Sequence, residues 1–483
     1  LFGSMALAGI YSVLRDALGI VPSMLCTLNI PGVTFGIYNS PMLLSVGFLV
    51  GFAPVAFWFA GALLGNFGII VGGTAAGLSA ASKARRLNPA MEITVFEASG
   101  YVSYGACGLP YYVGGCIEQA EDLISLTADQ LREDRNIQTL IHHRVTKIDR
   151  TAKTVEVCDL DSGRTFTQAY DRLVIATGAT PFIPPLPGVE GSGVYTLRTV
   201  EDGIRLRKKL AEGVRRAVVI GGGFIGLELS EQLCMAGLEV QVVEALPRLL
   251  PMLPERYAQM AQDELAKHGV ALHTALQAQE IVRGADGAVT GVRLSDGQTL
   301  AADFVVMSVG VRPASALAKD CGLAVNAKGG IIVNAEQQTS DPDIWACGDC
   351  VEMHNLITDA PCYFPLGTTA NKQGRVAGEN AAGGQAEFPG VLGSQITKIF
   401  DLFLSSTGLN LAQAEAAGFP ATEVSITKGD QASYYPGGGL NHITLVFRID
   451  SGRLLGAQAA GTSTIAGRVN LLAAAITMGM TVE

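Results

Sequence analysis

Two short stretches of this chain share one grammar, and that duplication constrains the fold more than any other feature of the sequence. The first reads Gly68-Ile-Ile-Val-Gly72-Gly73-Thr74-Ala75-Ala76-Gly77, continues as a small-residue segment through Arg86, and is followed by Glu92-Ile-Thr-Val-Phe-Glu97. The second reads Arg216-Ala-Val-Val-Ile220, then Gly221-Gly222-Gly223-Phe224-Ile225-Gly226, and is followed by Glu239-Val-Gln-Val-Val-Glu244. Each predicts a strand, a tight turn, a helix and a second strand that ends in an acid. The first glycine permits the turn out of the strand. A small residue in the middle lets a pyrophosphate approach the helix N-terminus, and the last glycine lets the helix pack close to the sheet. The closing acids, Glu97 and Glu244, are placed to accept hydrogen bonds from ribose hydroxyls. Turns and close packing alone would account for the glycines. They would not place an acid at the end of both second strands. The pattern therefore implies two dinucleotide sites, although Thr74 stands where the first loop would have its middle glycine. Glu244 favours a free ribose 2′-hydroxyl and hence NADH, while Arg248, four residues on, is the group that would admit NADPH.

The chain has 483 residues, of which 58 are glycine and 16% are charged. Its length exceeds one domain at about 100–200 residues per domain. A net charge of −10 with no Lys/Arg run argues against a nucleic-acid partner, since phosphate backbones need a basic face. Nine cysteines scattered without regular spacing do not resemble a disulfide framework and suit a reducing compartment. The chain begins at Leu1 and ends at Glu483 directly after an amphipathic run, the pattern expected of a piece cut at both ends.

Residues 17–82 contain no charged side chain. Within them Pro41–Gly65 has the length and apolarity of a transmembrane helix, which takes ~20 apolar residues. Trp58 and Phe59 fall where interfacial aromatics would sit. A secretory signal fits poorly, because the apolar run is too long and no basic residues directly precede it. From about Phe67, short Val/Ile-rich runs alternate with helical segments, the pattern of parallel βαβ units.

Between and after the two loops, four ordered motifs resemble the pyridine nucleotide–disulfide oxidoreductase family. They are Leu173-Val-Ile-Ala-Thr-Gly178-Ala-Thr-Pro181, Asp303-Phe-Val-Val-Met-Ser-Val-Gly310-Val-Arg-Pro313, Thr339-Ser-Asp-Pro-Asp-Ile-Trp-Ala-Cys-Gly348-Asp349 and Leu366-Gly-Thr-Thr-Ala-Asn371-Lys-Gln-Gly-Arg375. The resemblance implies an α/β protein with two Rossmann-like domains, one for FAD and one for NAD(P), and a C-terminal α+β dimerisation domain. It implies an FAD-binding domain over 68–187 and 303–392, an NAD(P)-binding domain over 188–302, and a dimerisation domain over 393–483 that is expected to be truncated. Residues 1–67 stand apart as an apolar, helical, membrane-type segment. Its stretch Tyr38-Asn-Ser-Pro41-Met-Leu-Leu resembles part of the oligopeptide transporter family, which makes a fusion or assembly join the alternative to a genuine anchor. The enzyme part is expected to be cytoplasmic, with membrane contact only through residues 1–67.

The resemblance assigns cofactor contact to Gly72, Gly73, Thr74, Ala75, Ala76, Gly77, Glu97, Val145, Thr177, Gly178, Gly221, Gly223, Gly226, Glu244, Gly310, Gly348, Asp349, Gly367 and Thr368. Asp349 would hold the flavin ribitol, and the helix opening at Gly367 would face the flavin pyrimidine ring. The segment Ser103-Tyr-Gly-Ala-Cys107-Gly-Leu-Pro110-Tyr-Tyr-Val-Gly-Gly115 is similar to the single-cysteine branch: coenzyme A disulfide reductases, NADH oxidases and polysulfide reductases. Dithiol relatives carry a second cysteine five positions on, where this chain has Tyr112. Cys107 would then be the redox thiol, forming a mixed disulfide or cycling through a sulfenic acid. Its place at a helix start with Pro110 in the first turn predicts a lowered thiol pKa. Cys116, off the pattern, is expected to be a packed core thiol. Ala75 occupies the position of a histidine in the NADH peroxidase branch, which lowers that reading. Tyr434-Tyr435 matches a stretch that in coenzyme A disulfide reductases brings a tyrosine to the partner's active site, so Tyr435 joins Cys107 as a catalytic candidate, with an ordinary aromatic pair at a strand edge as the alternative. The expected acceptor is a small-molecule disulfide, polysulfide or oxygen, and the expected assembly is a homodimer. Cys347 and Cys350 have metal-ligand spacing but no second ligand pair, and no metal is expected.

Overall fold

The computed structural model describes residues 24–30, 33–38 and 67–483, which form two separate units divided between Asn66 and Phe67. In the first unit, strands Met24–Ile30 and Val33–Tyr38 pair antiparallel. Their Thr, Val and Ile residues suit extended backbone, and Pro31-Gly32 between them is a turn signal. The expected membrane-type helix at 41–65 lies outside the described residues. Among the described residues no helix is long and apolar enough to cross a membrane.

The second unit repeats one design. A five-stranded parallel sheet runs in the order Ile344–Ala346, Arg172–Ile175, Phe67–Val71, Glu92–Phe96, Gln138–Leu140. Another runs in the order Val194–Tyr195, Phe304–Met307, Arg216–Ile220, Glu239–Glu244, Ala271–Thr274. In each, the glycine-loop strand is central and its second strand lies beside it. The chain then makes a three-stranded antiparallel sheet, over His143–Ala169 in one and Ala278–Ala301 in the other, before returning to the opposite side of the glycine-loop strand. Central strands such as Ile69-Ile70-Val71 and Ala217-Val218-Val219 are buried on both faces, as parallel strands covered by helices must be.

Two small-residue helices explain how the first sheet is covered. Helix Ala75–Leu87 buries Ala76, Gly77, Ala80, Ala81 and Ala84. Helix Gly367–Ala381 lies directly on it. A Cβ at Gly374 would stand 2.2 Å from the Ala76 carbonyl oxygen, so only glycine permits this approach. The C-terminal part is an antiparallel sheet ordered Gln395–Ile399, Leu402–Gly408, Leu454–Gly461, Leu440–Arg448, Ala421–Gly429. Helix Ile465–Thr477 packs on it through Ile465 and Val469. The parallel sheets share a topology that binds ligands beyond the carboxyl ends of the strands, where the order reverses.

Candidate active site

The two glycine loops share one turn conformation and the same kinds of contact. Gly72 takes φ 113° and Gly221 takes φ 110°, the left-handed range that favours glycine. A Cβ on either would lie 2.2 Å from a backbone oxygen, that of Ala176 or of Ser308. At the end of the first loop, Glu97 Oε2 accepts from the Gly73 amide at 2.6 Å and Oε1 from the Ser99 amide at 2.8 Å. In the second, Glu244 Oε2 accepts from the Gly222 amide and Oε1 from the Leu246 amide, both at 2.8 Å. Each acid is therefore fixed between the glycine loop and its own turn, with lone pairs to spare for a further donor.

The departure at Thr74 has a conformational explanation. Thr74 and Gly223 occupy the N-cap positions of helices Ala75–Leu87 and Phe224–Met235 with φ −106° and −81°, values any residue adopts. Neither helix has a side-chain cap bond or an acid in its first turn. The leading amides, including those of Ala75, Ala76 and Gly77, are thus free to meet an anion.

The second cluster surrounds Asp349. Strand Ile344–Ala346 runs into Gly348, whose added Cβ would lie 2.8 Å from Ala76 Cβ. The turn carrying Asp349 therefore sits on the first turn of the glycine-loop helix. Arg198 Nη2 donates to Asp349 Oδ2 at 2.8 Å. Asp349 Oδ1 is buried and has no hydrogen-bond partner among the described residues. Burial pushes this carboxyl up from its ordinary value, and the Arg198 guanidinium pulls it down. Gln373 Oε1 accepts from the Gly348 amide at 3.1 Å, and the Tyr363 hydroxyl donates to the Asp349 carbonyl at 2.8 Å. Helix Gly367–Ala381 opens without a side-chain cap, and Gly367 and Thr368 are exposed at its start.

The remaining cofactor candidates lie on the crossings between domains or in the core. Thr177 Oγ1 donates to the Ala314 carbonyl at 2.6 Å, and the Gly178 carbonyl accepts from the Ala314 amide at 2.9 Å. Strands Ala179–Pro181 and Val311–Pro313 pair there, next to Gly310 at φ 99°. Val145 is buried in strand His143–Asp149, opposite Val157. Its side chain belongs to the core, which leaves its backbone as the route to a ligand.

Cys107 lies in the 3-10 turn Ala106–Gly108 that leads into helix Leu109–Val113, and it is exposed and unpaired. Its thiol departs from the expected lowering. Surrounding protein pushes it up and the Glu228 carboxylate adds to that, while its own backbone hydrogen bond and Arg198 pull it down. The reason is physical: desolvation by the surrounding protein comes first, the Glu228 carboxylate adds to it, and a single short turn and a five-residue helix offer only a weak opposing dipole. Cys116 also differs from expectation. It is exposed rather than packed in the core, with Sγ 3.3 Å from Gln232 Oε1. Cys347 and Cys350 are buried, and burial raises both thiols. Tyr435 lies between strands Ala421–Gly429 and Leu440–Arg448, is 57% exposed, and stacks obliquely on Tyr434 at 4.9 Å.

Sequence reasoning passed over Arg198, Gln373 and three polar residues on the second glycine-loop helix. Glu228 accepts from Thr397 Oγ1 at 2.7 Å, and burial raises its pKa. Glu231 is buried, bonded to Lys398 Nζ at 3.1 Å and to the Phe400 amide at 2.7 Å. Gln232 receives Cys116. The available signal was their spacing: Glu228, Glu231 and Gln232 share one face of an otherwise apolar helix. Such groups must find partners outside it when buried.

The residues present fit FAD at the first loop. Free leading amides suit its pyrophosphate, Glu97 suits a ribose, and the unpartnered Asp349 Oδ1 suits a ribitol hydroxyl. The sequence matches the family described as pyridine nucleotide-disulphide oxidoreductase over residues 68–374, and that family's dimerisation domain over residues 394–483. It is 38% identical to a NADH oxidase of Methanocaldococcus jannaschii over 410 residues, covering 84% of this chain and 90% of that one. It is 33% identical to a CoA-dependent NAD(P)H sulfur oxidoreductase of Pyrococcus abyssi over 417 residues, 86% of this chain and 91% of that one. Among solved structures, a NAD-dependent persulfide reductase from A. fulgidus superposes with a TM-score of 0.83 at 40% identity, over 86% of this chain and 77% of that one.

Proposed function

Because the chain belongs to the pyridine nucleotide-disulphide oxidoreductase family, we propose that it is an FAD-dependent NAD(P)H oxidoreductase that reduces a disulfide-type acceptor at Cys107. The observation that carries this reading is the pair of matching loops, each with an acid bonded to the loop's amide, together with an exposed and unpaired cysteine. FAD, when bound, supplies the two-electron relay between NAD(P)H and a cysteine sulfur. The protein contributes placement. The first loop and Glu97 hold one dinucleotide, the second loop and Glu244 the other, and Asp349 fixes the ribitol. The Cys107 thiolate attacks the acceptor disulfide, forming a mixed disulfide and releasing one thiolate. Two electrons and a proton then release the second thiol and restore the Cys107 thiolate. The balance is one NAD(P)H, one proton and one disulfide giving NAD(P)⁺ and two thiols.

Coenzyme A disulfide and polysulfide are the acceptors this reading favours; the Pyrococcus protein is named a CoA-dependent sulfur oxidoreductase and the A. fulgidus protein a persulfide reductase. Oxygen is the alternative, in line with the Methanocaldococcus name. The matched dimerisation domain supports a homodimer, in which Tyr435 would serve the partner's site. Unpaired cysteines suit work in the cytoplasm. The proposal is tested by NADH consumption with coenzyme A disulfide and polysulfide under anaerobic conditions, and with oxygen separately. A yellow protein that turns over none of them would be a non-catalytic flavoprotein, and the enzyme reading would fall.

A further inference from the structure

Arg198 belongs to none of the sequence fingerprints, yet it is held on three sides. Its backbone amide donates to Asp202 Oδ2 at 2.8 Å at the entry to helix Val200–Ala211. Its Nε reaches the Ala179 carbonyl oxygen at 3.4 Å, on the crossing between the dinucleotide domains. Its Nη2 donates to Asp349 Oδ2 at 2.8 Å. A guanidinium fixed in this way is a placed charge rather than a mobile tether. The backbone around Asp349 is fixed independently, through Gln373 on the Gly348 amide and Tyr363 on the Asp349 carbonyl. What remains to be set is the orientation of the carboxylate, and Arg198 is its side-chain donor among the described residues.

A purely structural ion pair would satisfy both carboxylate oxygens. Here the second oxygen, Oδ1, is buried and unpartnered, an arrangement that is unfavourable unless something else donates to it. We propose that Arg198 is a positioning residue for the flavin: by occupying Oδ2 of Asp349 it holds the carboxylate turned, so that Oδ1 is presented to a ribitol hydroxyl of FAD. The proposal rests on Asp349 being the ribitol ligand. Burial alone would favour the neutral acid, and the guanidinium opposes that.

The test is a double-mutant cycle on the full chain, stripped of FAD and titrated with FAD by flavin fluorescence. Arg198→Met and Asp349→Asn should each weaken binding roughly tenfold or more, the scale of a hydrogen bond to a charged group. The double variant should be no weaker than Asp349→Asn within about twofold, because Arg198 acts through that carboxylate. Arg198→Lys, which keeps the charge, should recover part of the loss, and it serves as the second variant if Arg198→Met does not fold. If the two losses multiply, if Arg198→Met binds FAD as the parent does, or if Arg198→Lys recovers nothing, the positioning role is overturned. If Asp349→Asn leaves FAD binding unchanged, the ribitol reading itself fails and takes this proposal with it.

Discussion

Alanine at the last glycine of each loop should separate the two cofactors. A Cβ at Gly77 would lie 1.9 Å from the Gly72 carbonyl oxygen, and a Cβ at Gly226 would lie 2.2 Å from that of Gly221. Ordinary contact begins at 3.4 Å, so the gaps must open by about 1.5 Å and about 1.2 Å (from 1.9 and 2.2 to 3.4). The first loop has little room to yield. The oxygen belongs to the turn itself, and the helix behind it is wedged against Gly374 and Gly378, where added Cβ atoms would lie 2.2 and 2.1 Å from backbone oxygens. Overpacking a core with side-chain atoms costs about 1–3 kcal/mol, and a backbone clash belongs at the upper end. The functional effect follows from displacement of the leading amides. Losing one amide bond to a charged phosphate costs ~1.5–3 kcal/mol, or roughly ten- to 150-fold in affinity. Gly77→Ala should therefore lose FAD on purification and bind it at least tenfold more weakly in titration. Gly226→Ala should stay yellow yet require at least tenfold more NADH for half-saturation. Thr74→Gly, at an extended position, should alter FAD affinity by less than about threefold, since Gly replaces a cap residue with small effect. Full FAD affinity in Gly77→Ala, or FAD loss in Gly226→Ala with NADH binding kept, would refute the assignment of loops to cofactors.

Four further outcomes are expected. Cys107→Ser should keep FAD and NADH binding but lose anaerobic disulfide reduction, whereas Cys116→Ser should change little; an inactive Cys116→Ser variant would reverse the two roles. The pH profile of Cys107 alkylation should have its midpoint above the usual thiol value of about 8.5, because the protein surrounding the exposed thiol and Glu228 disfavour the thiolate. Glu228→Gln removes a negative charge and should move that midpoint down; no movement would mean that Glu228 is neutral or does not face the sulfur. NADH should be preferred over NADPH in kcat/KM, and Glu244→Ala should narrow the ratio; a clear NADPH preference in the parent protein would put Arg248 on the 2′-phosphate. Deletion of residues 1–66 should leave FAD and NADH binding intact, since both glycine loops begin after them, and loss of flavin-loaded protein on truncation would count against that boundary.

The glycine loops could be read from sequence because their constraints are local. A φ near 110° at Gly72 and Gly221, and an oxygen of the same loop 1.9 or 2.2 Å from a would-be Cβ at Gly77 or Gly226, demand glycine wherever the chain goes next. The acids could be read for a similar reason: each binds an amide two residues on and an amide of the glycine loop in its own βαβ unit. The antiparallel sheets over His143–Ala169 and Ala278–Ala301 left a weaker trace. Strand Thr165–Ala169 is almost wholly exposed, so no alternation of apolar and polar residues marks it. In residues 24–38 the lack of charge outweighed the Pro31-Gly32 turn signal, although the flanking residues pair as strands.

What the sequence hid at the site consists of pairs that exist only after distant strands meet. Arg198 and Asp349 stand 151 positions apart, and neither residue type announces the other. The cysteine is the sharper case. Its local setting, a helix start with Pro110, favours an acidic thiol only if the turn is an isolated dipole. In the fold, Glu228 arrives from the second dinucleotide domain, held by Thr397 of the C-terminal sheet, and opposes the dipole. The thiol of Cys107 is thus raised first by the protein packed around it and then by a carboxylate that itself depends on how two other domains are docked. A fold that builds the same dinucleotide module twice can keep each module's glycines and acids local. The field at the sulfur is different, because it lies where the modules join, and it has to be read from the junction.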